Sequence, residues 1–430
     1  MIAASCSLLP FARTETAGEE PIPEDCLNGL LSATLTRKKP TGFVYRFTDR
    51  YQGEFWQTRE ILMLRVFRFS ESYPELVDFD RDAVISNFGL GRQTSIILDT
   101  NVMVEIEGAY RTKQPHAKLT EAGIIHFARM VAKNAKYGVF ISPAAAYQEL
   151  PPARRAPVEV AFNRFVKYYL PKLGYDPDKV TSPFTGESVD LEKFAELPRD
   201  RQELRSVSYA CLLAINVVHR IRHLAPTDKF NCYIDYCAEV LNLISLKEVF
   251  VARYVFSSEV GINELVRKRK VSLVNNFVKI KKSVAKNLPA DEVIKRISLN
   301  GANDIALITT LDAVNNTRSQ FIWEDAKHDA WLATSDEKLY EFCRACPSLS
   351  EQDGGKRLAR GMELHAEITG TDYWKESAEI LGRKLDERRG EIDQEMEMGP
   401  VLQAAFQIEA LLADGTAEKF FENRLWRDRR

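Results

Sequence analysis

The sequence predicts an α/β fold built on a parallel sheet and interrupted by a large, mainly helical insertion. Two observations carry this. Short apolar runs at 96–98, 137–142 and 329–336 each end on polar residues. Segments with helical spacing of apolar residues follow or separate them. Continuous apolar runs bounded by turn residues fit strands buried on both faces, and their alternation with helices marks parallel sheets.

The first run lies in 94–105, TSIILDTNVMVE, where Ile96, Ile97 and Leu98 lead directly into Asp99. That carboxylate sits at the C-terminal edge of a strand, where open α/β sheets bind ligands. Thr100 and Asn101 can cap the following turn and bond groups around the carboxylate. Thr120 is the expected N-cap of a helix carrying Ile124, Ile125, Phe127, Met130 and Val131. YGVFIS at 137–142 is the second strand, and AAAYQEL places Glu149 about two turns into the next helix. Pro151 and Pro152 then break that helix.

Residues 151–299 depart from the pattern. Apolar residues at 162–170, 207–224 and 233–256 recur with helical spacing, with proline-rich loops near 177–198. The α/β pattern resumes at Asn300, with Gly301, a cap at Asn303, Asp304 in the first turn, and Ile305, Leu307, Ile308, Leu311 and Val314 along the helix. DAWLATSD is the third strand, ending in Thr334, Ser335 and Asp336, and a helix follows over 337–346. Three regions result: an N-terminal extension (1–92) with strand-like content in GFVYRF and EILMLRVFRF, an α/β domain (93–347) interrupted at about 151–299, and a charged helical region (348–430).

Composition bounds the chemistry. The 430 residues are 45% hydrophobic and 28% charged, which supports ordinary cores and argues against long disorder. The net charge of −2 creates no global basic field, so nucleic acid would have to bind a local patch. No apolar run reaches transmembrane length and the N-terminal MIAASCSLLPFAR lacks a positive n-region, so a cytoplasmic protein without a membrane segment is expected. The seven cysteines read as reduced thiols. Cys343 and Cys346, with Cys232 and Cys237, fit no named zinc spacing and read as buried helix thiols. His219 and His223 lack the glutamate of an HExxH site and read as surface or capping residues. No P-loop, GxSxG or GxGxxG occurs.

Four carboxylates stand at strand ends or early in helices: Asp99, Glu149, Asp304 and Asp336. In a parallel sheet these positions converge on one edge. Clustered carboxylates stay ionised only when cations compensate their repulsion, and Mg²⁺ or Mn²⁺ is the natural partner of such oxygen ligands. Bound ions of this kind activate water against a phosphodiester. Thr100, Asn101, Thr334 and Ser335 are positioned to orient the carboxylates. A second feature is the run 267–286, with eight basic and no acidic residues. Arg267, Lys268, Arg269, Lys270, Lys279, Lys281 and Lys282 could follow a phosphate backbone beside the acids.

The ordered acids and their contexts resemble the PIN-domain nucleases. Asp99-Thr100-Asn101 after an apolar strand matches the family's first motif, and Glu149 in SPAAAYQEL matches its second acid. Asn303-Asp304-Ile305-Ala306-Leu307 matches the third and Thr334-Ser335-Asp336 the fourth. The resemblance covers 95–150 and 300–346, and each motif alone is short; the order is what is specific. It implies a three-layer α/β/α sandwich, a metal-dependent ribonuclease using two Mg²⁺ or Mn²⁺ ions held by the four acids, and RNA as substrate. The family includes toxins of toxin–antitoxin pairs and RNA-processing or decay enzymes; the insertion and long flanks suggest a specialised member such as a toxin or defence effector, for which an antitoxin or other protein partner and a homo-oligomer are open expectations. The 155-residue step from Glu149 to Asp304 is far longer than in compact members, which leaves Glu259 and Glu264 as rivals for the second acid. Two other readings stand beside it. One is a catalytically inactive PIN-like module that binds RNA or protein. The other is a phosphatase-like hydrolase with Asp99 as nucleophile, although Asn101, Val102 and Met103 stand where that superfamily has Asp-Gly-Thr.

Overall fold

A computed structural model describes residues 64–69, 76–150, 152–173, 193–258, 264–279, 288–315, 327–345, 348–351, 357–360, 371–388 and 398–425. The GFVYRF stretch, Glu259, Lys281, Lys282 and Cys346 lie outside the described residues. The described elements begin with β1 (Arg65–Phe69), β2 (Leu76–Asp78), α1 (Arg81–Gly89), β3 (Arg92–Leu98), α2 (Thr100–Tyr110), α3 (Pro115–Glu121), α4 (Ile124–Asn134), β4 (Val139–Ser142) and α5 (Ala144–Glu149). Six longer helices follow: α6 (Pro152–Tyr169), α7 (Arg199–Arg220), α8 (Pro226–Glu239), α9 (Leu246–Phe256), α10 (Glu264–Phe277) and α11 (Ala290–Asn315). Then come β5 (Lys327–Thr334), α12 (Glu337–Ala345), β6 (Ser348–Glu351), β7 (Arg357–Arg360), α13 (Asp372–Glu387), α14 (Met398–Ala413) and α15 (Ala417–Leu425).

The fold is α/β around an open five-stranded sheet of order β2-β1-β5-β3-β4. The three strands expected from the apolar runs pair in parallel, with Ile96 of β3 opposite both Ile141 of β4 and Trp331 of β5. The sheet as a whole is mixed, which corrects the expectation of a parallel sheet. β1 runs antiparallel to β5 and β2 antiparallel to β1, so part of the N-terminal extension forms one side of the sheet. A strand that enters before the alternating α/β pattern needs no crossover helix and is free to pair antiparallel.

Alternate residues face opposite sides, as the two-residue period of a strand requires. Val66, Ile96, Leu98, Trp331 and Ala333 enter one hydrophobic cluster with residues of α1 to α6. Phe67, Phe69, Ile97, Ala330 and Leu332 enter a second with residues of α7 to α15. The region 151–299 is therefore divided: Phe162 and Phe165 of α6 pack in the first cluster, and α7 to α10 in the second. The C-terminal helices share that second core. Trp374 lies edge-on to Tyr254 at 4.9 Å, and the Tyr209 hydroxyl donates to Glu409 at 2.5 Å. Among the described residues, no helix is long and apolar enough to cross a membrane.

Two local expectations are corrected. Thr120 does not cap α4: it lies within α3, its hydroxyl on the His116 carbonyl, and Gly123 at φ +76° makes the turn instead. The helix carrying Glu149 does end before the prolines, with Leu150 extended, and a separate helix, α6, starts at Pro152, where a proline is tolerated in a first turn. Asn303 does not cap a helix and Asp304 is not in a first turn, because α11 begins at Ala290. Lys295 pairs with Asp291 and Glu292 one turn back and supports that earlier start.

Gly301 is a packing position within α11 rather than a helix start. A Cβ there would lie 2.6 Å from Phe277 Cδ1 and 2.8 Å from Leu212 Cδ1. Both neighbours are fully buried and have little room to withdraw. Gly301→Val is expected to destabilise by about 1–3 kcal/mol through overpacking. Denaturant unfolding checks this, and an unchanged midpoint would refute the close packing.

Candidate active site

The site is built where β3, β4 and β5 end on the same side. The Asp99 amide donates to Ala333 O at 3.0 Å, so the β3–β5 ladder carries the chain up to the carboxylate. Asp99 is 4% exposed, and its Oδ2 accepts from Thr334 Oγ1 at 2.5 Å and from Asn101 Nδ2 at 3.2 Å. The Thr334 hydroxyl also accepts from the Asp336 amide at 2.9 Å, joining the first and fourth acids through one side chain. Asp336 caps α12: its Oδ1 accepts from the amides of Lys338 at 2.8 Å and Leu339 at 3.3 Å.

Glu149 ends the six-residue α5, and its Oε2 accepts from Thr100 Oγ1 at 2.5 Å. Asp304 lies midway along α11, and its Oδ2 accepts from Asn276 of α10 at 3.2 Å. Ser335 acts on a further carboxylate, Glu105, opposing the upward shift that burial imposes on it. Thr100, Asn101 and Thr334 thus each touch an acid.

The acids act on one another. Burial pushes the Asp99 carboxyl upward, the bonds from Thr334 and Asn101 oppose this, and the Asp336 charge adds to it. Burial, then the Asp99 charge, raises Glu149 to about 7, against the Thr100 bond and the positive charge of Arg205. Asp304 is raised well above the usual range by burial and by Glu149, Asp99 and Asp336 together. Four segments distant in sequence therefore place their carboxyl groups within electrostatic reach. Among the described residues, no three or more His, Cys, Asp or Glu side chains form a ready metal-ligand group. Each carboxylate rests instead on a neutral donor.

Glu105 is a participant that the motifs did not mark. Burial raises its carboxyl, Ser335 opposes this, and the Asp99 charge raises it further. Its Oε2 is buried without a hydrogen-bond partner. Two residues on, Glu107 has cations beside it in Arg111 and Arg154. The one signal in the sequence is a pair of acids, Glu105 and Glu107, within the otherwise apolar VMVEIEGAY. Arg205 is the other participant absent from the motifs: it lies beyond Glu149 in sequence and reaches the site only through the packing of α7.

The remaining candidates separate from the acids. Glu264, a rival second acid, is exposed and paired with Arg267. In the basic run, the Arg269 guanidinium donates to the Tyr254 hydroxyl at 3.1 Å, and Lys270 donates to the Ser257 carbonyl. Arg267 and Lys268 of α10 and Lys279 just beyond it are exposed, and Asn276 brings α10 to Asp304. Burial draws His219 down to about 4, whereas His223 lies 3.4 Å from Glu422. Cys232, Cys237 and Cys343 are buried free thiols. Comparisons with protein-family models, with curated proteins and with solved structures give no match.

Proposed function

We propose that the chain is a PIN-like, metal-dependent nuclease with a three-layer α/β/α arrangement about its sheet, hydrolysing RNA phosphodiester bonds. The carrying observation is the mutual electrostatic influence of Asp99, Glu149, Asp304 and Asp336, brought from four segments to the edge where three parallel strands end. The ordered motifs support the family, and the family resemblance supports RNA over DNA.

The donor set suits a hard divalent ion. The groups are carboxylates, three of them raised by burial and by one another, and Glu105 adds a buried oxygen without a partner. A bound Mg²⁺ or Mn²⁺ supplies water activation and charge stabilisation at the phosphate. Asp99, Glu149, Asp304 and Asp336 would hold such ions. Thr100, Thr334, Asn101 and Asn276 aim the carboxylates by neutral hydrogen bonds, which leaves their charge available. The exposed Arg267, Lys268 and Lys279 offer positive charge to the phosphate backbone.

The test is cleavage of labelled RNA by the purified chain. Cleavage that requires Mn²⁺ and stops with a chelator is expected. RNA binding without cleavage at any metal concentration would identify the inert binding module instead.

The acids also predict a linked dependence on pH and metal. Glu149 has a folded value of about 7 against an ordinary 4.5, so it is raised. Its contribution to stability is complete below the unfolded value and is lost as pH rises through about 7. A cation that binds the ionised form offsets this loss. Mn²⁺ is therefore expected to raise the melting temperature at pH 8 by several degrees and to change it little at pH 4.5. Glu149→Gln is expected to weaken both the pH dependence and the Mn²⁺ shift. Equal Mn²⁺ shifts at the two pH values would refute the linkage.

A further inference from the structure

Two buried arginines, one turn apart on α7, each grip the residue immediately before an acid. Arg201 is 6% exposed, and its Nη1 donates to the carbonyl of Gln148, the neighbour of Glu149, at 3.2 Å. Arg205 is 4% exposed, and its Nε donates to Oδ1 of Asn303, the neighbour of Asp304. Arg205 also donates from Nη1 to the Arg201 carbonyl at 3.4 Å, which ties the two grips together.

The local structure needs this help. Glu149 is the last residue of a six-residue helix, and so short a helix has little stability of its own. Its final carbonyls have no partners within the helix. Arg201 occupies the Gln148 carbonyl, and Arg155 Nε takes the Leu150 carbonyl at 2.8 Å. The backbone on both sides of Glu149 is thus held by guanidinium groups. Asp304 rides on a long helix, but the position of that helix relative to α5 depends on α7, which packs closely against it through Leu212 at Gly301.

We infer that Arg201 and Arg205 are positioning residues that set the separation of Glu149 and Asp304, so that α7 is an integral part of the metal site. The inference rests on the nuclease reading and assigns a role to the long segment between the second and third acids. A buried arginine suits this task because its planar fork holds several acceptors at fixed angles.

The test is Mn²⁺ binding, measured by calorimetry on the full chain, with RNA cleavage as a second readout. Arg205→Met is expected to weaken Mn²⁺ binding about 10- to 100-fold, the range for losing an outer partner of a metal ligand. The KM for RNA is expected to stay within about twofold while kcat falls, because the group acts through the acids. Asn303→Leu removes the acceptor while keeping the arginine, and gives the same direction should Arg205→Met fail to fold. If the wild type neither binds Mn²⁺ nor cleaves, the nuclease reading falls and this inference with it. If the wild type binds Mn²⁺ and the folded variants bind it equally well, only the positioning role is overturned. A rise in KM with unchanged Mn²⁺ binding would also overturn it, by making Arg205 a substrate contact.

Discussion

Asp99→Asn and Asp304→Asn are each expected to lower Mn²⁺-dependent RNA cleavage by about a thousandfold or more. Losing an ion ligand removes several kcal/mol of transition-state stabilisation, and each 1.36 kcal/mol is tenfold in rate. Neither variant should unfold. In the metal-free protein both carboxyls are raised by burial and by neighbouring acids, so the native environment already disfavours their charge. Asparagine is neutral and of nearly the same shape. Without metal at pH 8, the variants should therefore be as stable as the wild type or more so, and the Mn²⁺-induced rise in melting temperature should shrink. Lost activity with retained or increased stability separates a ligand role from a structural one. Cleavage at the wild-type rate by both variants would end the site assignment.

The second large effect is structural and lies near the start of β5, away from the acids. Asp329→Ala is expected to destabilise by about 3–5 kcal/mol, the cost of breaking a buried ion pair from one side. Asp329 is 3% exposed, and its Oδ2 accepts from Asn87 Nδ2 at 2.5 Å and from Trp331 Nε1 at 2.6 Å. Arg68 Nε lies 3.2 Å from Oδ1, an ion-pair contact rather than an aligned hydrogen bond, and its guanidinium sits 5.2 Å from the Trp331 ring centre. Asn87 also donates to Thr94 Oγ1 at 3.0 Å. One carboxylate thereby links β1, α1, β3 and β5. Asp329→Asn keeps the shape and should cost less than the alanine change. Against a usual total of about 5–15 kcal/mol the alanine effect is large, and denaturant unfolding would register it directly. A loss below about 1 kcal/mol would mean that Arg68, Asn87 and Trp331 find other partners and the network does not hold the sheet.

Asp329 also marks a limit of motif reading. It opens the DAWLATSD run whose far end carries Asp336, and the two acids differ in pattern only by position. One is neutralised within the sheet by Arg68, and the other caps a helix beside Asp99. The distinction follows from strand direction, because only the C-terminal ends of the three parallel strands gather with the loops and helices that carry the other acids.

Local patterns determined much of the scaffold. The apolar runs specified β3, β4 and β5, because burial on both faces demands continuous apolar residues. They also put Asp99 and Asp336 after strands and Thr100, Asn101, Thr334 and Ser335 beside them, since those relations span only a few residues. Only the tertiary structure decided the rest. It brought Glu149 beside Asp99 while Glu264 paired with Arg267 at the surface, showed Glu105 to be a half-buried carboxylate, set β1 antiparallel at the side of the sheet, and brought Arg205 to Asn303, 98 residues away in sequence. Periodicity records which side of a helix or strand is buried. It carries no record of which distant side chain meets it there, and the convergence of carboxyl groups in this site is a property of those long-range contacts.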